Sequence, residues 1–213
     1  MLKTRAIRFS YDNNNQFSFP DINLRDGEEL LILGKSGVGK TTLVQIIAGL
    51  LKPSSGLIEY NGIQVNNLLA KKLDSYRGKH VGMVFQKPRF VKNISVLDNL
   101  LLSLYLSRNK QDIERTMNLL SQVDLSHKAN SMPNNLSQGE QQRAAIALAV
   151  VKNPSMILAD EPTSSLDDIN CQKILNLLKQ HAKSTNAKLI IITHDQRLKS
   201  QFNKSIKLWI LAD

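Results

Sequence analysis

Two kinds of apolar pattern alternate along the 213 residues. The stretches "EELLILG", "HVGMVFQ", "SMILADEP" and "AKLIIITHD" are short, continuous and bounded by glycine, proline or polar residues. They read as strands buried on both faces. "TTLVQIIAGLL", "LSQGEQQRAAIALAVVKNP" and "SLDDINCQKILNLLKQHAKS" repeat their apolar positions at helical spacing, and "KPSSG" and Asn153-Pro154 stop two of them. Buried strands alternating with helices predict an α/β fold, a parallel sheet covered on both faces. Binding sites in such sheets lie beyond the carboxyl ends of the strands. Gly34, Gln86, Asp160, Glu161 and His194 all fall there.

Three segments depart from this alternation. "KTRAIRFSY" and "FSFPDINL" flank the polar run "DNNNQ", a hairpin with a loose turn, and "LIEYNG" adds another short strand. From Lys87 to Asn135 the pattern is helical, with "SVLDNLLLSLYLS" and "DIERTMNLLSQV" forming an insert. Near the end, "SIKLWIL" suits an edge strand. The strand before the glycine-rich loop and the strand ending at Asp160 are expected side by side.

Composition narrows the class. Hydrophobic residues at 42% and charged residues at 22% are ordinary for a soluble domain. The longest apolar run, "AAIALAVV", is far short of the about 20 residues a bilayer demands, and the start has no signal-peptide core. A cytoplasmic protein is expected, and a single cysteine, Cys171, agrees with a reducing compartment. On a helix, that thiol is read as inert packing. The net charge of +10 admits an acidic partner. Mild clusters occur at Lys71, Lys72, Arg77 and Lys79 and from Arg197 to Lys207, but no basic stripe interleaves with aromatics. Both clusters read as solvated surface charge.

The chemistry is carried by short motifs in sequence order. "GKSGVGKT", Gly34 to Thr41, follows a predicted strand and opens a predicted helix, the setting of a phosphate loop. Glycines at 34, 37 and 39 let the backbone curl so that its N–H groups face phosphate oxygens. Lys40 supplies a compact charge, and the Thr41 hydroxyl is placed to ligate Mg²⁺. A hard cation also needs a carboxylate, which Asp160 in "MILADE" provides. If the strand pleat persists, Glu161 points away from Asp160, towards an attacking water. Downstream, Ser137 and Glu140 in "LSQGEQQR" have the spacing of a capping box. Gly139 inside that first turn is unfavourable for a helix that only packs, and favourable where something must approach the backbone.

The phosphate loop, Gln86, "LSQGE", "ILADEP", "SSLD" and His194 in "ITHD" together resemble, in order and spacing, the ATPase subunits of ATP-binding cassette (ABC) transporters. The resemblance spans essentially the whole chain. It implies a P-loop NTPase core with an N-terminal antiparallel β subdomain and a helical insert subdomain, residues 87–152, within one domain of residues 1–213. It also implies that ATP is bound by Tyr11, stacked on adenine, by Gly34, Lys35, Ser36, Gly37, Val38, Gly39, Lys40, Thr41 and Thr42, and by Ser137 and Gly139. Glu161 matches the catalytic base, His194 a γ-phosphate contact, and Gln86 a residue reaching both Mg²⁺ and the water, so that Thr41, Gln86 and Asp160 form the metal set. Asp167 resembles a residue communicating between subunits; locally it is also a good first-turn acid.

By the same resemblance, the chain pairs with a second ATPase subunit and with a membrane-spanning subunit at the inner face of the cell membrane, and no direct nucleic-acid contact is expected. Two departures stand out. The common signature is LSGGQ, with Gln138 and Glu140 here in its third and fifth positions, and Leu148 stands where many relatives have arginine. "YRGKHVGMVFQ" and "ADEPTSSLD" look most like the group serving lipoprotein release and macrolide-type efflux, although "KPRFVKN" differs from its usual linker. A soluble ABC ATPase of assembly or remodelling and a small-molecule kinase are the alternative readings.

Overall fold

The computed structural model describes residues 1–12, 16–163 and 167–209. Its centre is a parallel sheet built from β4 (Glu29–Leu33), β7 (Val81–Val84), β8 (Met156–Asp160), β9 (Lys188–Thr193) and β10 (Ser205–Lys207), ordered β10-β4-β9-β8-β7. Alternation of side chains explains why the interiors of these runs are apolar. Leu30 and Ile32, Met156 and Leu158, and Ile190 and Ile192 enter one core, while Leu31 and Leu33, Ile157 and Ala159, and Leu189 and Ile191 enter the other. A period of two with both faces covered leaves polar residues only at the ends of β4, β8 and β9, such as Glu29, Asp160, Lys188 and Thr193.

One core joins the sheet to α1 (Lys40–Ile47), through Leu43, Val44, Ile46 and Ile47, and to a second, antiparallel sheet. That sheet contains β1 (Leu2–Ser10), β2 (Gln16–Ser18), β3 (Asn23–Leu24), β5 (Ser55–Tyr60) and β6 (Ile63–Gln64). The β1–β2 hairpin forms as expected, although its turn at Asn13 to Asn15 lies outside the described residues. The register of β1 on β5 shifts between Arg5 and Arg8, where Ala6 turns left-handed and Gly56 passes so close that a Cβ would lie 2.5 Å from the Ala6 carbonyl oxygen. Lys188, wholly buried at the start of β9, pairs with Asp26 and lies 4.6 Å from the centre of the Tyr60 ring. Its stem and charge tie the two sheets together.

The opposite core holds α6 (Asp168–Thr185) and one side of α5 (Gln138–Val150). The other side of α5, through Ala144 and Ala147, joins Leu100 and Leu104 of α3 (Val96–Leu106) and Leu120 of α4 (Ile113–Gln122) in a third core. The insert is therefore helical with apolar packing of its own, linked to the sheet by a helix that serves both.

Two sequence expectations need correction. The strand ending at Asp160 is not beside β4, because β9 lies between them. "HVGMVFQ" stops pairing at Val84, so Gln86 lies in the loop beyond. "LIEYNG" forms a strand as expected, within β5 of the antiparallel sheet. A further helix, α2 (Ala70–His80), occupies the basic stretch before β7; only its Tyr76 is buried, so it has almost no apolar stripe to read. "SIKLWIL" supplies the edge strand over Ser205–Lys207, and its Ile210 and Leu211 lie outside the described residues.

Candidate functional site

β4 delivers the chain to Gly34 at the carboxyl end of the parallel sheet, and the loop from Gly34 to Gly39 turns it into α1. Gly37 and Gly39 have φ of 84° and 89°, values that L side chains rarely adopt. Gly39 is the N-cap of α1 and no side chain caps it, so the orphan N–H groups of the first turn are left for a ligand. The negative charge such a helix start prefers is absent from the helix itself, whose first turn has no acid.

Lys40 is buried, its Nζ donating to the Gly34 and Lys35 carbonyl oxygens at 2.8 and 3.0 Å and lying 3.5 Å from Glu161 Oε1. Tyr11, 59% exposed, hydrogen-bonds through its hydroxyl to Thr42 Oγ1 at 3.1 Å and meets Phe9 edge to face. Lys35, Ser36, Gly37, Gly39, Lys40, Thr41, Thr42, Gln86, Glu161, His194 and Phe17 line one open cleft of about 520 Å³. Residues spread over most of the chain thus meet at one place.

β8 ends at Asp160, and Glu161 adopts a left-handed conformation (φ 49°). The pleat does not persist. This turn, more than strand alternation, aims the Glu161 carboxylate at the end of β9. It accepts from Thr193 Oγ1 at 2.8 Å and from the His194 backbone N–H at 3.1 Å, and pairs with His194 Nδ1 at 2.9 Å. Thr193 and Phe17 were missed by motif reading. Thr193 directly precedes the histidine, and Phe17 lies in the hairpin strand whose ring would be 2.6 Å from a Cβ at Gly39.

Asp160 is buried, accepts a hydrogen bond from Thr41, and has one oxygen, Oδ1, without any partner. Burial holds its carboxyl above the usual carboxylate range, against the opposing effect of the Thr41 bond. Because the folded-state value is raised, ionisation weakens the unliganded fold: the penalty is full above the folded value and vanishes below the unfolded one. Asp160→Asn is therefore expected to raise the unfolding midpoint of the ligand-free protein at pH 7, with the gain shrinking as pH falls towards 4. Paired melting curves across that range check it; equal midpoints at pH 7 would contradict it.

Ser137 and Gly139 do not line this cleft. Ser137 caps α5, its Oγ accepting from the Glu140 N–H at 3.3 Å while Glu140 Oε2 accepts from the Ser137 N–H at 2.8 Å. The capping box forms as its spacing predicts, and Glu140 is turned back onto its own helix. A Cβ on Gly139 would meet only Arg143 Nη1, at 3.8 Å. Among the described residues, nothing within 4 Å apart from that flexible tip requires glycine there. Asp167 serves as the N-cap of α6, accepting from the Asn170 N–H at 2.9 Å, and not as a first-turn acid. The rest of "SSLD", residues 164–166, lies outside the described residues.

A model of the ABC transporter family matches residues 19–164. The lipoprotein-releasing system ATP-binding protein LolD of Syntrophus aciditrophicus (strain SB) is 40% identical over 190 residues, covering 88% of this chain and 85% of that protein. LolD of Bacteroides fragilis (strain YCH46) is 33% identical over 210 residues, 98% and 97% of the two chains. Among solved structures, the dimeric post-hydrolysis state of the ATP-binding cassette MJ0796 bound to ADP and Pi has a TM-score of 0.90 and 32% identity, over 98% of this chain and 94% of that one. A structure of cbiO1 from Clostridium perfringens, described as part of the ABC transporter complex cbiONQ, has a TM-score of 0.78 and 32% identity over 91% and 78%.

Proposed function

The chain belongs to the ABC transporter family as an ATP-binding, ATP-hydrolysing subunit, and on that premise we propose how its residues divide the work. The observation that carries the assignment is the convergence of the phosphate loop, Gln86, Glu161 and His194 on one cleft. ATP enters with adenine against the exposed Tyr11 ring. Its phosphates take the N–H groups of residues 34–42, including Lys35, Ser36 and Val38, and Lys40 exchanges its two carbonyl contacts for phosphate oxygens. Glu161 accepts the proton of the attacking water, and ATP and water become ADP and phosphate. His194, tied through Nδ1 to Glu161, keeps its other ring nitrogen for the γ-phosphate.

Mg²⁺ fits the donors present. Thr41, Asp160 with its unpartnered buried Oδ1, and Gln86 offer the hard oxygens that this ion prefers. When bound, the ion neutralises charge on the β- and γ-phosphates.

The working unit is two such chains. Ser137 and Gly139 lie outside the phosphate-loop cleft of their own chain, on a capped helix start whose serine oxygen accepts a bond and so leaves its proton to donate. In the dimer they reach the γ-phosphate held by the partner subunit, and hydrolysis removes the group that joins the halves. ATP biases this closure only by binding the closed form more tightly. The pair energises a membrane-spanning subunit at the cytoplasmic face of the membrane. Lipoprotein release is the substrate reading that the LolD relatives favour. Phosphate release from ATP with no acceptor present tests the activity. Steady release supports it, whereas phosphate appearing only on an added small-molecule acceptor would mark a kinase.

A further inference from the structure

The basic stretch before β7, unremarkable along the sequence, is part of a larger feature in the fold. Lys71, Lys72 and Lys79 on α2 face Arg108, just past α3, and Lys152, just past α5, across an open cleft of about 950 Å³. Gly78 lies beside Ser107, where a Cβ would make ordinary contact with Ser107 Cα at 3.7 Å. The acid of this cleft, Asp74, is paired with Arg77. None of the five cations has an ion-pair partner among the described residues, whereas Lys179, Lys204 and Arg197 each meet an acid. Lys152 is largely buried, donates to the Arg77 carbonyl oxygen at 2.9 Å, and is pushed down to about 8 by burial, so an incoming anion would favour its charged form.

Apolar side chains accompany these cations. Leu106 lines the cleft and is 70% exposed; Tyr105 beside it and Leu69, the N-cap residue of α2, are similarly open. A soluble anion would engage the cations and leave these three side chains in water. Four of the five cations are lysines, which protein interfaces avoid in favour of arginine. Flexible lysines around exposed leucine and tyrosine are instead the composition that sits on an acidic lipid surface.

We propose that the cleft between α2 and the ends of α3 and α5 is a direct contact for anionic lipid headgroups, with Leu69, Tyr105 and Leu106 entering the headgroup boundary. It goes beyond attachment through the membrane subunit, and it does not depend on the roles given to the nucleotide cleft. The isolated chain, mixed with phosphatidylcholine vesicles containing or lacking phosphatidylglycerol, is separated by flotation. The wild type is expected to float with the anionic vesicles alone and to be released by salt. Lys71→Gln/Lys72→Gln/Lys79→Gln should lower its partition about 100-fold, from the loss of three surface charges. Leu69→Ser/Leu106→Ser should weaken it at constant charge, and a melting midpoint no lower than that of the wild type shows that each variant is folded. Equal partition on both vesicle types, or a triple variant that floats like the wild type, overturns the proposal. It also falls if the lysines matter only in neutral vesicles carrying the membrane subunit, because the occupant is then an acidic protein segment.

Discussion

Lys40→Ala is expected to lower ATP turnover by about a thousandfold, the scale of removing one charge-stabilising donor from a water-poor site. The ammonium lies in a buried pocket, between two loop carbonyl oxygens and the Glu161 carboxylate, where water does little to screen it. It needs little reorganisation to meet a phosphate, since the loop already fixes its position. The substitution also leaves the buried Glu161 carboxylate without its nearby cation, so part of the loss will be thermal stability. Lys40→Gln separates the two contributions: an uncharged side chain of similar length retains packing and carbonyl contacts, and should remain as inactive as the alanine. Phosphate release at saturating ATP, with a melting curve beside it, reads both. Full turnover in either variant would exclude the phosphate site.

Glu161→Gln is expected to lower hydrolysis by about 10³-fold, within the range of general-base catalysis, while ATP binding persists. The amide oxygen can still accept from Thr193 and the His194 N–H, so the loop keeps its shape. What disappears is the ability to take a proton. A loss confined to kcat, with nucleotide affinity retained, is the pattern of a group acting only in the transition state.

Much of this was legible in the sequence, for identifiable reasons. The interiors of β4, β8 and β9 are buried on both faces and so are apolar without interruption, which makes them hard to mistake. The phosphate loop is legible because its chemistry constrains backbone conformation: Gly37 and Gly39 adopt positive φ that a side chain would resist. The capping box at Ser137 depends only on residues three apart. Strand order is different. Whether β8 or β9 lies beside β4 depends on long-range packing that two equally apolar strands do not encode. The direction of Glu161 was also illegible, because a left-handed residue with a side chain leaves no mark in composition. α2 escaped notice since it packs almost entirely through Tyr76, and the cation cleft beside it draws Arg108 and Lys152 from distant segments.

In the proposed closed dimer one ATP is enclosed by two chains, between the phosphate loop of one and the Ser137–Gly139 helix start of the other. In Glu161→Gln that enclosed state should persist, because ATP is bound and not consumed. The most direct measurement is the solution mass of purified Glu161→Gln with and without ATP and Mg²⁺. Each chain weighs 23.9 kDa. A monomer is expected without nucleotide and twice that mass with ATP, with the shift lost when Gly139 is also replaced by a bulky residue such as valine. A variant that binds ATP tightly and stays monomeric would contradict it.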